Sequence, residues 1–165
     1  MQRAAIFLHG SIGVGKSTLG AALAEALGGT FTDGDVFLER SRRWFESSRA
    51  VAHGMAAAAT AGPYPAVLAY PLRCTDKIFQ RRTCERAGVR ALFINLHAPL
   101  HTLMDPGRGR AFDGWERART AEMIAQGYND RPWADARVDT SGPLEASLAT
   151  LVETVRGLLS GPGAH

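Results

Sequence analysis

Apolar positions along this chain fall in short unbroken runs that alternate with longer stretches of helical spacing. Ala4–His9 is a continuous apolar run of the kind buried on both faces of a sheet, and it predicts a first strand. Lys16–Leu27 places Leu19, Leu23 and Leu27 at i, i+4 and i+8, with Ala22 and Ala26 beside them, and predicts a helix stopped by Gly28-Gly29. Thr30–Thr32 reads as a short second strand leading into Asp33-Gly34-Asp35. From Val36 to about Ala61 the chain is alanine-rich and helix-compatible, with a break expected near Glu46–Ser48 and a stop at Gly62-Pro63.

Ala66–Tyr70 predicts a third strand, closed by Pro71, and Thr75–Ala87 a helix capped by Thr75 or Asp76. Ala91–Leu96 predicts a fourth strand, Trp115–Gln126 a helix and Arg137–Asp139 a short last strand. Between them Asp105–Gly114, rich in Gly, Arg and Pro, reads as a mobile loop without regular structure. Pro143–Leu159 predicts a closing helix with proline near its first turn, followed by a flexible tail over 161–165. Strands separated by helices of about ten residues or more imply right-handed crossovers and a parallel sheet. The expectation is a single α/β domain over residues 1–160, three-layered, with a five-stranded parallel sheet and helices on both faces.

Composition narrows the classes. With 45% hydrophobic and 21% charged residues in 165, the chain suits neither a disordered nor a fibrous protein. No apolar run approaches the ~18 residues of a spanning helix, and the first run is too short for a signal-peptide core, so a cytoplasmic protein without a membrane partner is expected. Cys74 and Cys84 have no His or Cys at metal spacing and read as reduced thiols. The net charge of +3 invites a nucleic-acid reading. That excess is local: Arg73–Arg110 holds eight basic and three acidic residues, and the remainder of the chain is net acidic. No aromatic-interleaved basic groove accompanies it, so the expected partners are small polyanionic substrates and not nucleic acid. Either a monomer or a homodimer is compatible with the sequence.

The chemistry starts at Gly10-Ser11-Ile12-Gly13-Val14-Gly15-Lys16-Ser17, which matches G-x-x-x-x-G-K-[ST] between a predicted strand and a predicted helix, with Thr18 following. Glycines at 10, 13 and 15 let backbone N–H groups turn inward onto phosphate oxygens, and the helix beginning near Lys16 aims its positive end at the same place. Lys16 is positioned for the β- and γ-phosphates and the Ser17 hydroxyl for Mg²⁺, so residues 10–18 predict a nucleoside-triphosphate site for ATP with Mg²⁺. A guanine-reading Asn-Lys-x-Asp is absent, the nearest string being Asn129-Asp130-Arg131-Pro132. The third strand, Ala66-Val67-Leu68-Ala69-Tyr70-Pro71, carries no acid of the motor-ATPase type. The acids stand after the second strand, at Asp33 and Asp35.

In that respect the chain resembles the small-molecule kinases of the shikimate-kinase and gluconate-kinase group. In that group an Asp-x-Asp after the second strand serves metal and acceptor, the position held here by Asp33 and Asp35. Asp105-Pro106-Gly107-Arg108-Gly109-Arg110 looks like the group's arginine-bearing lid, expected over about 105–114. Val138-Asp139-Thr140-Ser141 is similar to its adenine-side loop, and Ala125-Gln126 with Asp130-Arg131-Pro132 is similar to the gluconate-kinase end region. The glycine triplet of shikimate kinases is replaced by Tyr70-Pro71-Leu72-Arg73, and the Pro-Leu-x-Asp-x-Asp-Arg block of gluconate kinases is missing. The resemblance therefore implies the reaction and leaves the acceptor open.

What it implies is Mg²⁺-ATP-dependent phosphoryl transfer to a hydroxyl of a small metabolite or antibiotic-like acceptor. Lys16 would neutralise phosphate charge, Ser17 and Asp33 would hold the metal, and Asp33 or Asp35 would orient the acceptor hydroxyl and take its proton, with Gly34 supplying a free bend between them. Arg108 and Arg110 would close over the phosphates. Arg40, Arg42, Arg43 and Arg49 follow Asp35, where the group binds its acceptor; Arg43 and Arg73, with Asp35, are the acceptor-site candidates. His53 and His97 read as surface or capping residues, and Trp44, Trp115 and Trp133 as packing residues, with one of the three open to flanking the acceptor pocket. Two other readings stay open: a nucleotide kinase, and a regulatory or catalytically impaired ATP-binding protein.

Overall fold

A computed structural model describes residues 3–38 and 43–161; Arg40, Arg42 and the tail from 162 onward lie outside the described residues. Five strands, β1 (Ala4–His9), β2 (Thr30–Asp33), β3 (Ala66–Ala69), β4 (Arg90–His97) and β5 (Ala136–Asp139), form one sheet. Their order is β2-β3-β1-β4-β5 and every neighbouring pair is parallel. Six helices connect and cover them: α1 (Lys16–Leu27), α2 (Trp44–Ala61), α3 (Cys74–Arg86), α4 (Leu100–Leu103), α5 (Gly114–Ala125) and α6 (Leu144–Ser160). Short 3₁₀ turns occupy Gly34–Phe37 and Pro106–Arg108.

The unbroken apolar character of β1 follows from its central place, where no residue of the strand meets water. Ile6 pairs with Val67 on one side and Leu92 on the other. Its alternate residues serve two cores. Ile6 and Leu8 pack with Leu19, Leu23, Leu151 and Val155 from α1 and α6. Ala5 and Phe7 pack with Val51, Met55, Ala59 and Cys84 from α2 and α3, and Phe7 stacks on Phe93 at 4.9 Å. The result is the expected three-layer α/β arrangement with a five-stranded parallel sheet.

Three local expectations are corrected. In place of an α-helix starting at Val36, Asp33 accepts a hydrogen bond from Asp35 N at 3.0 Å and starts a 3₁₀ turn over Gly34–Phe37, whose Phe37 ring packs directly on Gly54. α2 starts at Trp44 and runs through 46–48 without a break. The cap of α3 is neither Thr75 nor Asp76. Arg73 precedes the first helical residue, and the Asp76 carboxylate reaches back to accept from Arg73 N at 2.9 Å. Finally, the segment after Leu103 is partly regular, because the Asp105 carboxylate accepts from Gly107 N at 2.8 Å and holds a 3₁₀ turn. Among the described residues no helix is long and apolar enough to cross a membrane.

Candidate active site

The carboxyl ends of β1, β2 and β3 open into a cleft of about 1480 Å³, lined by residues 12–19, Asp33, Asp35, Tyr70 and Arg73, the 105–116 region and residues 140–144. Ligands of open parallel sheets occupy such crevices. Between β1 and α1 the loop turns on Gly10, Gly13 and Gly15, with φ of 152°, 84° and 96°. No acidic residue stands in the first turn of α1, so its positive end is left for an anion.

Lys16 folds back over the loop, its Nζ donating to Gly10 O at 3.1 Å and Ser11 O at 2.7 Å. Burial pushes its pKa down to about 8; the Asp35 and Asp33 charges oppose that fall and Arg110 adds to it. The Ser17 hydroxyl donates to the Asp33 carboxylate, and Thr18 is exposed on the cleft wall beside it. An ATP phosphate chain fits this donor set: a loop turning on three positive-φ glycines, a lysine already held by carbonyl oxygens, and a helix end without acid. The Ser17 hydroxyl and the Asp33 carboxylate are hard oxygen donors of the kind Mg²⁺ takes alongside phosphate.

Asp35 is exposed and lines the same cleft. Gly34, expected to lend a free bend, plays another part: a Cβ there would lie 2.7 Å from the Tyr70 ring, so glycine admits the tyrosine. Burial raises the Tyr70 pKa, and the Asp35 and Asp76 charges raise it further, keeping the phenol protonated.

The expected lid is anchored at three points. Arg108 Nη1 donates to Thr140 O at 2.9 Å, joining the segment to the loop after β5. Arg110 pairs with Glu116 at 2.7 Å, and its guanidinium stands 5.0 Å from the Phe112 ring centroid. Phe112 packs against Gly13 of the phosphate loop. Residue 112 carries no sequence signal; only its place two positions beyond Arg110 draws notice.

Of the acceptor candidates, Arg73 lines the cleft and Arg43 does not; Arg43 is exposed at the start of α2. Arg73 is committed internally, Nε and Nη2 each 2.9 Å from an Asp76 oxygen and Nη2 2.7 Å from Ser48 Oγ. Arg49 is exposed on α2. Trp133 is a packing residue as expected, stacked on His9 at 4.7 Å, whereas Trp44 and Trp115 are each 71% exposed and line the cleft. His53 packs edge-on against Phe79, and the His97 carbonyl accepts from Thr140 N at 2.8 Å. Cys84 is buried and Cys74 exposed, both as free thiols.

A polar group that sequence reasoning missed braces the loop from behind. Asn129 Oδ1 accepts from Ser11 N at 2.8 Å while its Nδ2 donates to Ala98 O at 3.3 Å. Asn95 Oδ1 accepts from Arg131 N at 2.7 Å, and its Nδ2 donates to Leu96 O and Tyr128 O. The string Asn129-Asp130-Arg131-Pro132, which fails as a base-reading motif, thus contributes to holding the phosphate loop. His9 is buried beside it; burial foremost, then the Arg131 and Lys16 charges, lower its pKa to about 3 and keep it neutral. A lone Asn inside the apolar run of β4 was the available clue.

No protein-family model matches this sequence, and no curated protein matches it. Solved structures do. A gluconokinase from Sinorhizobium meliloti 1021 superposes with a TM-score of 0.70 at 20% identity, over 97% of this chain and 100% of that one. Shikimate kinase from Acinetobacter baumannii in complex with shikimate gives 0.62 at 19% identity, covering 95% and 93%. The APS kinase of Mycobacterium tuberculosis, in complex with AMPPNP and APS, gives 0.67 at 15% identity, covering 94% and 98%. With the five-stranded parallel sheet and the strand–loop–helix at Gly10–Ser17, the chain has the fold of the P-loop kinases of the shikimate-kinase and gluconate-kinase group.

Proposed function

We propose that this protein is an ATP- and Mg²⁺-dependent phosphotransferase acting on a hydroxyl of a small metabolite or antibiotic-like acceptor. The observation that carries the reading is the contact of Ser17 with Asp33, which brings the phosphate-loop hydroxyl and the first acid after β2 to one point of the cleft, beside Lys16. The chemistry Mg²⁺ supplies at such a site is neutralisation of charge on the β- and γ-phosphate oxygens.

Lys16 adds a cation to the same oxygens, and backbone N–H groups of the loop and of the start of α1 would orient them. Asp33 spends one oxygen on the Ser17 hydrogen and the other on Asp35 N–H; Asp35, exposed on the same cleft, is the residue assigned to the acceptor hydroxyl. Its carboxylate takes the hydroxyl proton as the oxygen bonds to the γ-phosphorus and the bond to the β–γ bridging oxygen breaks, releasing ADP. Arg110 lies close enough for its charge to act on Lys16 and would stabilise the transferring group.

The test is ADP release against a panel of polyols, sugar acids, nucleosides and antibiotics. Lys16→Ala should remove nucleotide binding, and Asp33→Asn should lower turnover by about a hundredfold or more. ATP binding without stimulation by any acceptor would favour the regulatory alternative.

A further inference from the structure

The described residues lining the cleft include four arginines, and their partners bear on what the acceptor can be. Arg73 holds Asp76, Arg110 holds Glu116 at 2.7 Å and Arg119 holds Glu122 at 2.7 Å. Arg108 is turned onto the carbonyls of Thr140 and Ser141, at the loop expected to meet the adenine. Lys16 belongs to the phosphates. At Arg73, Arg110 and Arg119 an acceptor carboxylate would compete with an internal acid, and anywhere in the cleft it would sit near Asp33, Asp35 and Asp76, which line the same space. Removing a carboxylate from water for a guanidinium already neutralised returns little of the desolvation cost.

The same cleft gathers apolar surface. Of the eight large hydrophobic side chains exposed among the described residues, Leu38, Trp44, Trp115 and Leu144 line it. Single exposed apolar residues are ordinary, but concentration around one crevice marks a binding surface. Trp44 opens α2 next to Ser47 and Ser48, and Tyr70 lines the cleft as well. The Arg73 guanidinium stands 5.5 Å from the Trp44 ring centroid, so the salt bridge that neutralises Arg73 also steadies the indole.

We propose, resting on the phosphotransferase reading, that the acceptor is an alcohol carrying a flat ring and no acidic group, received on Trp44. Arg73 then acts as a positioning residue for the indole and not as a clamp for an acid, contrary to the expectation from sequence.

Four probes separate ring from charge: 1-phenylethane-1,2-diol, mandelate, glycerol and glycerate, titrated calorimetrically into the full chain saturated with Mg²⁺ and a non-hydrolysable ATP analogue. The phenyl diol should bind about tenfold more tightly than either mandelate or glycerol. Trp44→Ala should erase that ring preference without altering glycerol, Trp44→Phe should keep most of it, and Asp76→Asn, which releases Arg73, should improve mandelate. Tighter binding of either acid than of its neutral partner, an unchanged diol affinity in Trp44→Ala, or no binding by any probe at millimolar concentration would overturn the proposal. If the diol binds as expected but neither it nor any acceptor of the panel draws ADP from Mg²⁺-ATP, the phosphotransferase reading fails and the ring site stands. If ADP release is driven by sugar acids, the kinase stands and the ring site fails.

Discussion

Phe112 stands its ring on Gly13: a methyl group added at residue 13 would meet the phenyl Cζ at 2.6 Å. Glycine is required there twice, by its φ of 84° and by the aromatic ring above it. The two demands can be separated. Gly13→Ala should weaken binding of a non-hydrolysable ATP analogue strongly. Combining it with Phe112→Ala should recover part of the loss, since the clash disappears and only the left-handed backbone cost of about 1–2 kcal/mol remains. Phe112→Ala alone, which frees Arg110 from its aromatic neighbour, should cost a few-fold in affinity. Equal damage from Gly13→Ala with and without the ring would show that the contact is incidental.

A second expectation concerns pH and Lys16, whose pKa falls from 10.5 to about 8 because the ammonium is crowded away from water. With the native value below the unfolded one, the unfolded chain binds more protons between the two values. Stability without nucleotide should therefore rise with pH between about 8 and 10.5 through this group. Other groups titrate there as well, so the quantity to measure is the difference in denaturation free energy between wild type and Lys16→Met across that window. Binding of ATP should weaken as pH passes 8, because the phosphates favour the charged amine. A flat difference curve would contradict the burial of Lys16.

The parts legible in sequence were those encoded by local pattern. The two-sided burial of β1 wrote itself as six apolar-compatible residues, and the phosphate loop as glycines at fixed offsets before Lys16. Asp33 draws notice because it ends a strand of a parallel sheet, and the structure sets its carboxylate against the Ser17 hydroxyl. What stayed hidden depends on partners far along the chain. Arg73 looked like an acceptor clamp because its type and position suit one; only the fold reveals Asp76 and Ser48 on its guanidinium. Sequence leaves one of the three tryptophans open to flanking the acceptor pocket, but nothing in periodicity says which, or that both Trp44 and Trp115 face the cleft. The seat of Phe112 on Gly13 joins residues with no common repeat or spacing.

Asn129 gives the sharpest case of that long-range dependence and a prediction of its own. Its side-chain oxygen is the acceptor for the buried Ser11 N–H, 118 residues away in sequence, while its amide donates to Ala98 O beyond the end of β4. The Ser11 N–H is thereby spent on the protein, so in the proposed kinase the phosphate donors would be the N–H groups that follow it. Asn129→Ala would leave that N–H and the Ala98 carbonyl without partners in a buried place, at about 1–3 kcal/mol for each unsatisfied group. The unfolding midpoint in urea should fall accordingly, and nucleotide affinity should fall with it because the loop loses its brace. Asn129→Asp keeps the acceptor and loses the donor, so it should retain more of the loop's nucleotide affinity than Asn129→Ala when both are measured near neutral pH on folded protein. A variant that lost stability yet bound the ATP analogue as wild type does would make Asn129 a support of the fold alone, with the phosphate loop holding its shape through Gly10, Val14 and the start of α1.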